Sequence, residues 1–214
     1  MKRASRLWAL CAVILATNLT GLCVKVIAAP SVGLQSTVFD AELARSWGVQ
    51  RIGAGRVHAA GNQGGGVRVG IIDTGIDYTH PNLSANYAGG WDFVNNDPDP
   101  LDDNGHGTNV AGVVAARDNE IGVVGVAPEA SLYAYKVFNA SGAGSYDNIT
   151  AALHRAILDG IDVLNVSLGS LGDPGPDVQE AFQQAADAGI VLVGAAGNLG
   201  TFSGAGDNVV FPAR

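Results

Sequence analysis

Val67-Arg68-Val69-Gly70-Ile71-Ile72-Asp73 is an apolar run that stops at a carboxylate. A continuous apolar segment of this length reads as a strand buried on both faces, as in a parallel sheet, and its last residue is delivered to the C-terminal edge of that sheet. Outward from it the chain alternates. Residues 131–137 read as a strand. Residues 145–159 read as a helix with Ser145 as N-cap, with Ile149, Leu153, Ala156 and Ile157 on one face and Gly160 as its stop. Residues 161–166 form another buried strand. A helix over 177–188, entered through Pro174 and Pro176 and ended by Gly189, leads to a strand over 190–193. Strand–helix alternation predicts an α/β fold: a doubly wound, mainly parallel sheet with helices on both faces and a ligand crevice beyond the strand C-termini.

Two further stretches aim chemistry at that edge. Gly105-His106-Gly107-Thr108 follows an acidic run and opens a small-residue apolar stretch, Val110, Ala111, Val113 and Val114, which predicts a helix carrying an imidazole in its first turn. Gly194-Ala195-Ala196-Gly197-Asn198 follows the strand over 190–193 and places an amide among residues too small to block a peptide. An aspartate facing a histidine, with an amide donor nearby, suits general acid–base catalysis with a stabilised oxyanion.

Asp73-Thr74-Gly75, the helix start at His106-Gly107-Thr108 and Ala195-Ala196-Gly197-Asn198 resemble, in this chain order, the aspartate, histidine and oxyanion motifs of the subtilisin-like serine proteases. The resemblance runs from about Trp47 to Arg214. It implies that Asp73 orients and charge-stabilises His106, that His106 is general base and acid, and that Asn198 binds the oxyanion. It also implies that Gly142, Ala143 and Gly144, with Ser167, Leu168 and Gly169, bracket an extended polypeptide substrate as an added strand, with Ala195, Ala196 and Gly197 beside it.

The family's nucleophile lies in a Gly-Thr-Ser stretch well beyond the asparagine motif. None of Ser131, Ser141, Ser145, Ser167, Ser170 or Ser203 has that setting, and sixteen residues follow Asn198. The expectation is a peptidase domain over 47–214 that is incomplete at its C-terminus and inactive alone. A non-catalytic peptide-binding module is the alternative. An aspartic-protease reading of Asp73-Thr74-Gly75 needs a second such motif, which the sequence lacks.

Residues 117–123 resemble the family's calcium loop, which implies hard oxygen ligands from Asn119, Ile121 and Val123, with Asn82 where the family has a carboxylate. The family's N-terminal amide ligand falls near Leu43, and Glu42 adjoins it. Asp97, Asp99, Asp102 and Asp103 form a second candidate metal cluster. Asn109 stands where the family has a second histidine.

At the N-terminus, residues 1–6 carry three cations and residues 7–24 are predominantly apolar. Val26-Ile27-Ala28 presents small residues at a cleavage site, so 1–28 is expected to be a secretory leader, with an uncleaved anchor as the alternative. Residues 29–46 are then a short segment where the family usually has a folded pro-domain. Cys11 and Cys23 both lie in the leader, so the exported chain has no disulfide. Beyond it, eight basic residues face twenty acidic ones, a net charge of −12. That surface argues against nucleic acid and suits a soluble exported protein or a cation binder. The protein is expected to be a secreted monomer without stable membrane association once the leader is cleaved.

Overall fold

The central strand is β1 (Arg68–Asp73), and its side chains alternate between two layers. Val69 and Ile71 face one way and pack with Ala111 and Ala115 of helix α4 (His106–Ala115). Ile72 faces the other way, against Leu153 and Ala156 of α5 (Tyr146–Leu158), in a cluster that also takes in Ala181 and Ala185 of α6 (Pro176–Asp187). Helices therefore cover both faces, which is why residues 69–72 of β1 read as an unbroken apolar run. Ile71 and Ile72 are 1% and 0% exposed, and full burial of each contributes about 1.5–3 kcal/mol.

This computed structural model describes residues 40–170, 172–200 and 209–213. The expected leader over 1–28, both cysteines, most of the 29–46 segment and Ser203 lie outside the described residues. Strands β2 (Tyr87–Asp92), β3 (Ser131–Lys136), β4 (Val163–Val166) and β5 (Val191–Gly194) complete a sheet of order β2-β3-β1-β4-β5, every pair parallel. The chain moves to one side of β1 for β2 and β3, then to the other side for β4 and β5. The order thus reverses about β1, and a crevice opens beyond the strand C-termini at such a point. Asp73 is the last residue of that strand.

The helix termini follow the sequence. The Ser145 side chain accepts from Asn148 N–H at the start of α5, Pro176 occupies the first turn of α6, and Gly160 and Gly189 take positive φ beyond the helix ends.

Strand β2 was not foreseen, because Gly89-Gly90 interrupts any strand-like pattern. A Cβ on Gly90 would collide with the carbonyl oxygen of Ala134, so the glycine lets the edge strand close on β3. Also unforeseen were α1 (Ala41–Arg45), α2 (Trp47–Arg51) and α3 (Ala54–Ala59). Helices of five or six residues do not persist alone, and these are held by docking. Val124 N–H donates to Ser46 Oγ at 2.9 Å, and Arg45 Nε donates to Gly122 O at 2.5 Å. Residues 40–46, grouped from sequence with the segment preceding the domain, thus bond directly to residues 119–124. Among the described residues no helix is long and apolar enough to cross a membrane.

Candidate active site

Asp73 is 1% exposed. Its Oδ1 accepts from Thr74 N–H at 2.7 Å, and its two oxygens lie 2.7 and 2.9 Å from His106 Nδ1. A buried carboxylate needs partners of this kind, and two-oxygen contact fixes the ring plane as well as its position. The imidazole itself is 56% exposed, so its second nitrogen is open to a reactant. Helix α4 can approach this closely because residue 107 is glycine. A Cβ there would run into the carbonyl oxygen of Gly75 and press on Asp73.

The surrounding hydrogen bonds lock the end of β1 to the start of α4. Thr74 Oγ1 accepts from Gly107 N–H at 2.9 Å and donates to Asp102 Oδ1 at 2.8 Å. Asp77 N–H donates to Thr108 Oγ1 at 2.8 Å. Lys136, paired in register with Asp73, sends a buried Nζ to Thr74 O at 2.7 Å, Phe138 O at 3.0 Å and Asp103 Oδ1 at 2.6 Å. Unlike Thr74, which belongs to the Asp73-Thr74-Gly75 motif, Asp102 and Lys136 lie outside the sequence motifs that point to this site. Two signals were there: an Asp-Asn-Gly turn signature just before a helix start, and a lone lysine ending an apolar strand, which must find partners when buried.

His106 also lines a cleft of about 630 Å³ together with Ser167, Leu168, Gly169, Ala195, Ala196, Gly197 and Asn198. Its far wall is tied by Val210 N–H to Ala196 O at 3.1 Å and by an antiparallel bridge between Ser170 and Phe211. Asn165 Nδ2 donates to Ser167 Oγ at 2.8 Å, so that hydroxyl belongs to the strand-end network. Asn198 is exposed in the cleft. Gly142, Ala143 and Gly144 lie in a turn around the Asn139 side chain, outside the lining of the cleft. That turn is joined to the helix start by Asn104 Nδ2 donating to Ala140 O at 2.9 Å. No serine hydroxyl among the described residues is hydrogen-bonded to His106. Asn109 is exposed on the second position after Gly107.

The second metal candidate is corrected. Asp97, Asp99, Asp102 and Asp103 do not converge: Asp97 accepts from Asp99 N–H, Asp99 from Tyr78 O–H, Asp102 from the helix start and Asp103 from Lys136. Each carboxylate is satisfied by a local donor. Among the described residues no three His, Cys, Asp or Glu groups gather in one metal-binding cluster.

The 117–123 loop differs, because its donors are carbonyls and amides. Asn82 Nδ2 donates to Ile121 O at 2.5 Å and to Val123 O at 3.4 Å, while Asn119 Oδ1 accepts from Ile121 N–H at 3.2 Å. Glu42 Oε2 accepts from Asn119 N–H at 2.8 Å. Two buried side-chain oxygens have no hydrogen-bond partner, Asn82 Oδ1 and Glu42 Oε1, and both residues bond to this loop. Converging carbonyls with orphaned oxygens beside them fit a hard cation. The Asp118 carboxyl is pushed up by burial and by the neighbouring carboxylates of Glu42 and Asp40.

Residues 64–214 match the family model described as the subtilase family, peptidase S8. Subtilisin DY of Bacillus licheniformis is 47% identical over 172 residues, covering 78% of this chain and 60% of the relative. Subtilisin Savinase of Lederbergia lenta is 47% identical over 168 residues, covering 78% of this chain and 59% of the relative. Subtilisin E of Bacillus subtilis is 44% identical over 170 residues, covering 78% and 43%. The chain spans 60% or less of the length of these curated relatives.

Proposed function

Because this chain belongs to the subtilase family, we propose that it carries the aspartate, histidine and oxyanion arms of a serine endopeptidase that hydrolyses polypeptides. The observation that carries the reading is the Asp73–His106 pair at the C-terminal end of the central strand, with the imidazole lining the same cleft as Asn198. Asp73 holds Nδ1 and stabilises the imidazolium as it forms. His106 Nε2 takes the proton of a serine hydroxyl as it attacks the scissile carbonyl, then returns it to the leaving amine. The Asn198 amide donates to the developing oxyanion. An extended substrate lies as an added strand between 142–144 and 167–169, with Ala195, Ala196 and Gly197 leaving room for its backbone.

The attacking hydroxyl is assigned to sequence matching the part of the relatives that this chain does not span. Fluorophosphonate labelling and casein hydrolysis, applied to this chain and to the chain joined to the remaining C-terminal part of subtilisin E, test the assignment. Labelling and hydrolysis are expected only in the joined protein, and His106→Ala should abolish the hydrolysis. Efficient hydrolysis by the present residues alone, lost on His106→Ala, would mean a different nucleophile.

The domain is assigned to 47–214 and the segment before it to 29–46. Export through the 1–28 leader is supported by the cationic start and the apolar run that follows; the exported protein would act as a monomer. Calcium at the 117–123 loop is supported by the orphaned oxygens. Asn119, Ile121, Val123 and Asn82 would hold it, with Glu42 supplying the negative charge that Asn82 lacks; its contribution is structural.

A further inference from the structure

Asp102 stands outside the reacting pair yet touches everything that sets its geometry. Its Oδ1 accepts from Thr74 Oγ1 at 2.8 Å, Asn104 N–H at 3.0 Å and Gly105 N–H at 3.0 Å. Its Oδ2 accepts from Thr108 N–H at 2.9 Å and Thr108 Oγ1 at 2.5 Å. Both threonine hydroxyls are committed in direction. Thr74 Oγ1 also accepts from Gly107 N–H and Thr108 Oγ1 from Asp77 N–H, and each hydroxyl donates its single proton to Asp102. Five donors converge on one side chain, three of them backbone N–H groups, and hydrogen bonds of this kind favour the ionised carboxylate.

The ends of this network are the two halves of the couple. Thr74 follows Asp73 and donates its own N–H to that carboxylate, while Gly107 and Thr108 follow His106 in the first turn of α4. The N-cap residue Gly105 has no side chain to cap the helix, and Asp102 does so through Thr108 N–H. Resting on the catalytic reading of Asp73 and His106, we propose that Asp102 is a positioning residue. It sets the distance and angle between the Asp73 carboxylate and the His106 imidazole by strapping the end of β1 to the first turn of α4.

Burial pushes the Asp102 carboxyl up, but the Thr108 hydroxyl and the N–H groups of Gly105, Thr108 and Asn104 outweigh it and bring it down to about 2. The strap is therefore ionised wherever the couple would work. An asparagine fills the same space but presents an amide donor to one half of the network, leaving Thr74 or Thr108 facing a donor.

The test is NMR on the full chain with ¹⁵N-labelled histidine, following the low-field proton on His106 Nδ1 and its exchange with water. Asp73→Asn identifies the signal by removing it. Asp102→Asn is expected to speed that exchange tenfold or more while the amides of Ile71 and Ile72 in β1 exchange as before, a local change that a purely structural loop cap would not produce. Thr74→Val, which removes one strap hydroxyl, should do the same, and Thr74→Ser should retain the wild-type signal. An unchanged His106 proton in folded Asp102→Asn overturns the proposal. If that variant does not fold, Thr74→Val decides alone, an unchanged signal again overturning it. Absence of the signal from the wild-type chain would instead overturn the reading of the couple, and the positioning role with it.

Discussion

Lys136 brings a cation into the interior at 1% exposure and spends its three protons on Thr74 O, Phe138 O and Asp103. Asp103 is half exposed and water can take over its charge, but two enclosed carbonyls would lose their donor. Lys136→Met is therefore expected to cost about 2–3 kcal/mol in a urea titration, with Asp103→Asn costing under about 1 kcal/mol. Asp102 gives a pH signature. Its folded pKa of about 2 lies below the ordinary aspartate value of 3.8, so its contribution is fully present above the unfolded value and is lost as pH falls through the folded one. After allowance for partial exposure that contribution is on the order of 1 kcal/mol. The stability gap between wild type and Asp102→Asn should shrink as the titration is repeated from pH 5 down to pH 2, and a gap constant over that range would contradict the assignment. From sequence, Asp73 and His106 stood out because each ends or begins an element, where a polar residue must have a purpose. Asp102 and Lys136 did not, because their purpose is to join segments 28 and 62 residues away in sequence, from Asp102 and Lys136 respectively to Thr74. A turn signature and a strand-end lysine mark the places, but no local pattern names the distant partner.

At the scale of elements, the strand and helix cores of the alternating region were legible because burial on both faces of β1 and the amphipathic face of α5 leave a periodicity, and Ser145, Gly160 and Pro176 mark the ends. What stayed hidden has a different origin. Strand β2 depends on a glycine that lets two backbones meet, and α1 to α3 depend on docking rather than on their own pattern. The meeting of α4 with β1 is equally tight. Gly107→Ala places a methyl group against the Gly75 carbonyl, where only backbone could yield. It should destabilise the fold by about 3 kcal/mol or more and weaken the His106–Asp73 bond, whereas Gly112→Ala in the same helix meets open space and should stabilise by about 0.5–1 kcal/mol. Paired urea titrations of the two variants check both signs.

Over the whole molecule, the sheet leaves Val191 and Val193 of β5 58% and 47% exposed, and two oxygens without partners, Asn82 Oδ1 and Glu42 Oε1, lie on residues bonded to the 117–123 loop. Calcium at a hundredfold excess over its dissociation constant would stabilise by about 2.7 kcal/mol, a rise of roughly 5–10 °C in melting temperature for a domain of this size. Glu42→Gln should remove most of that rise. Equal melting in calcium and in chelator would leave the loop without a metal role. If Asp73 and His106 act as one unit on a serine, kcat for casein-derived peptides in the chain joined to the C-terminal part of subtilisin E reads it most directly. His106→Ala, Asp73→Ala and the double variant are compared under one condition. A double variant within about tenfold of His106→Ala is predicted, because groups that act together are lost together. Losses that multiply, with the double variant falling by the product of the two single effects, would show that the pair does not act as a unit and would contradict the account.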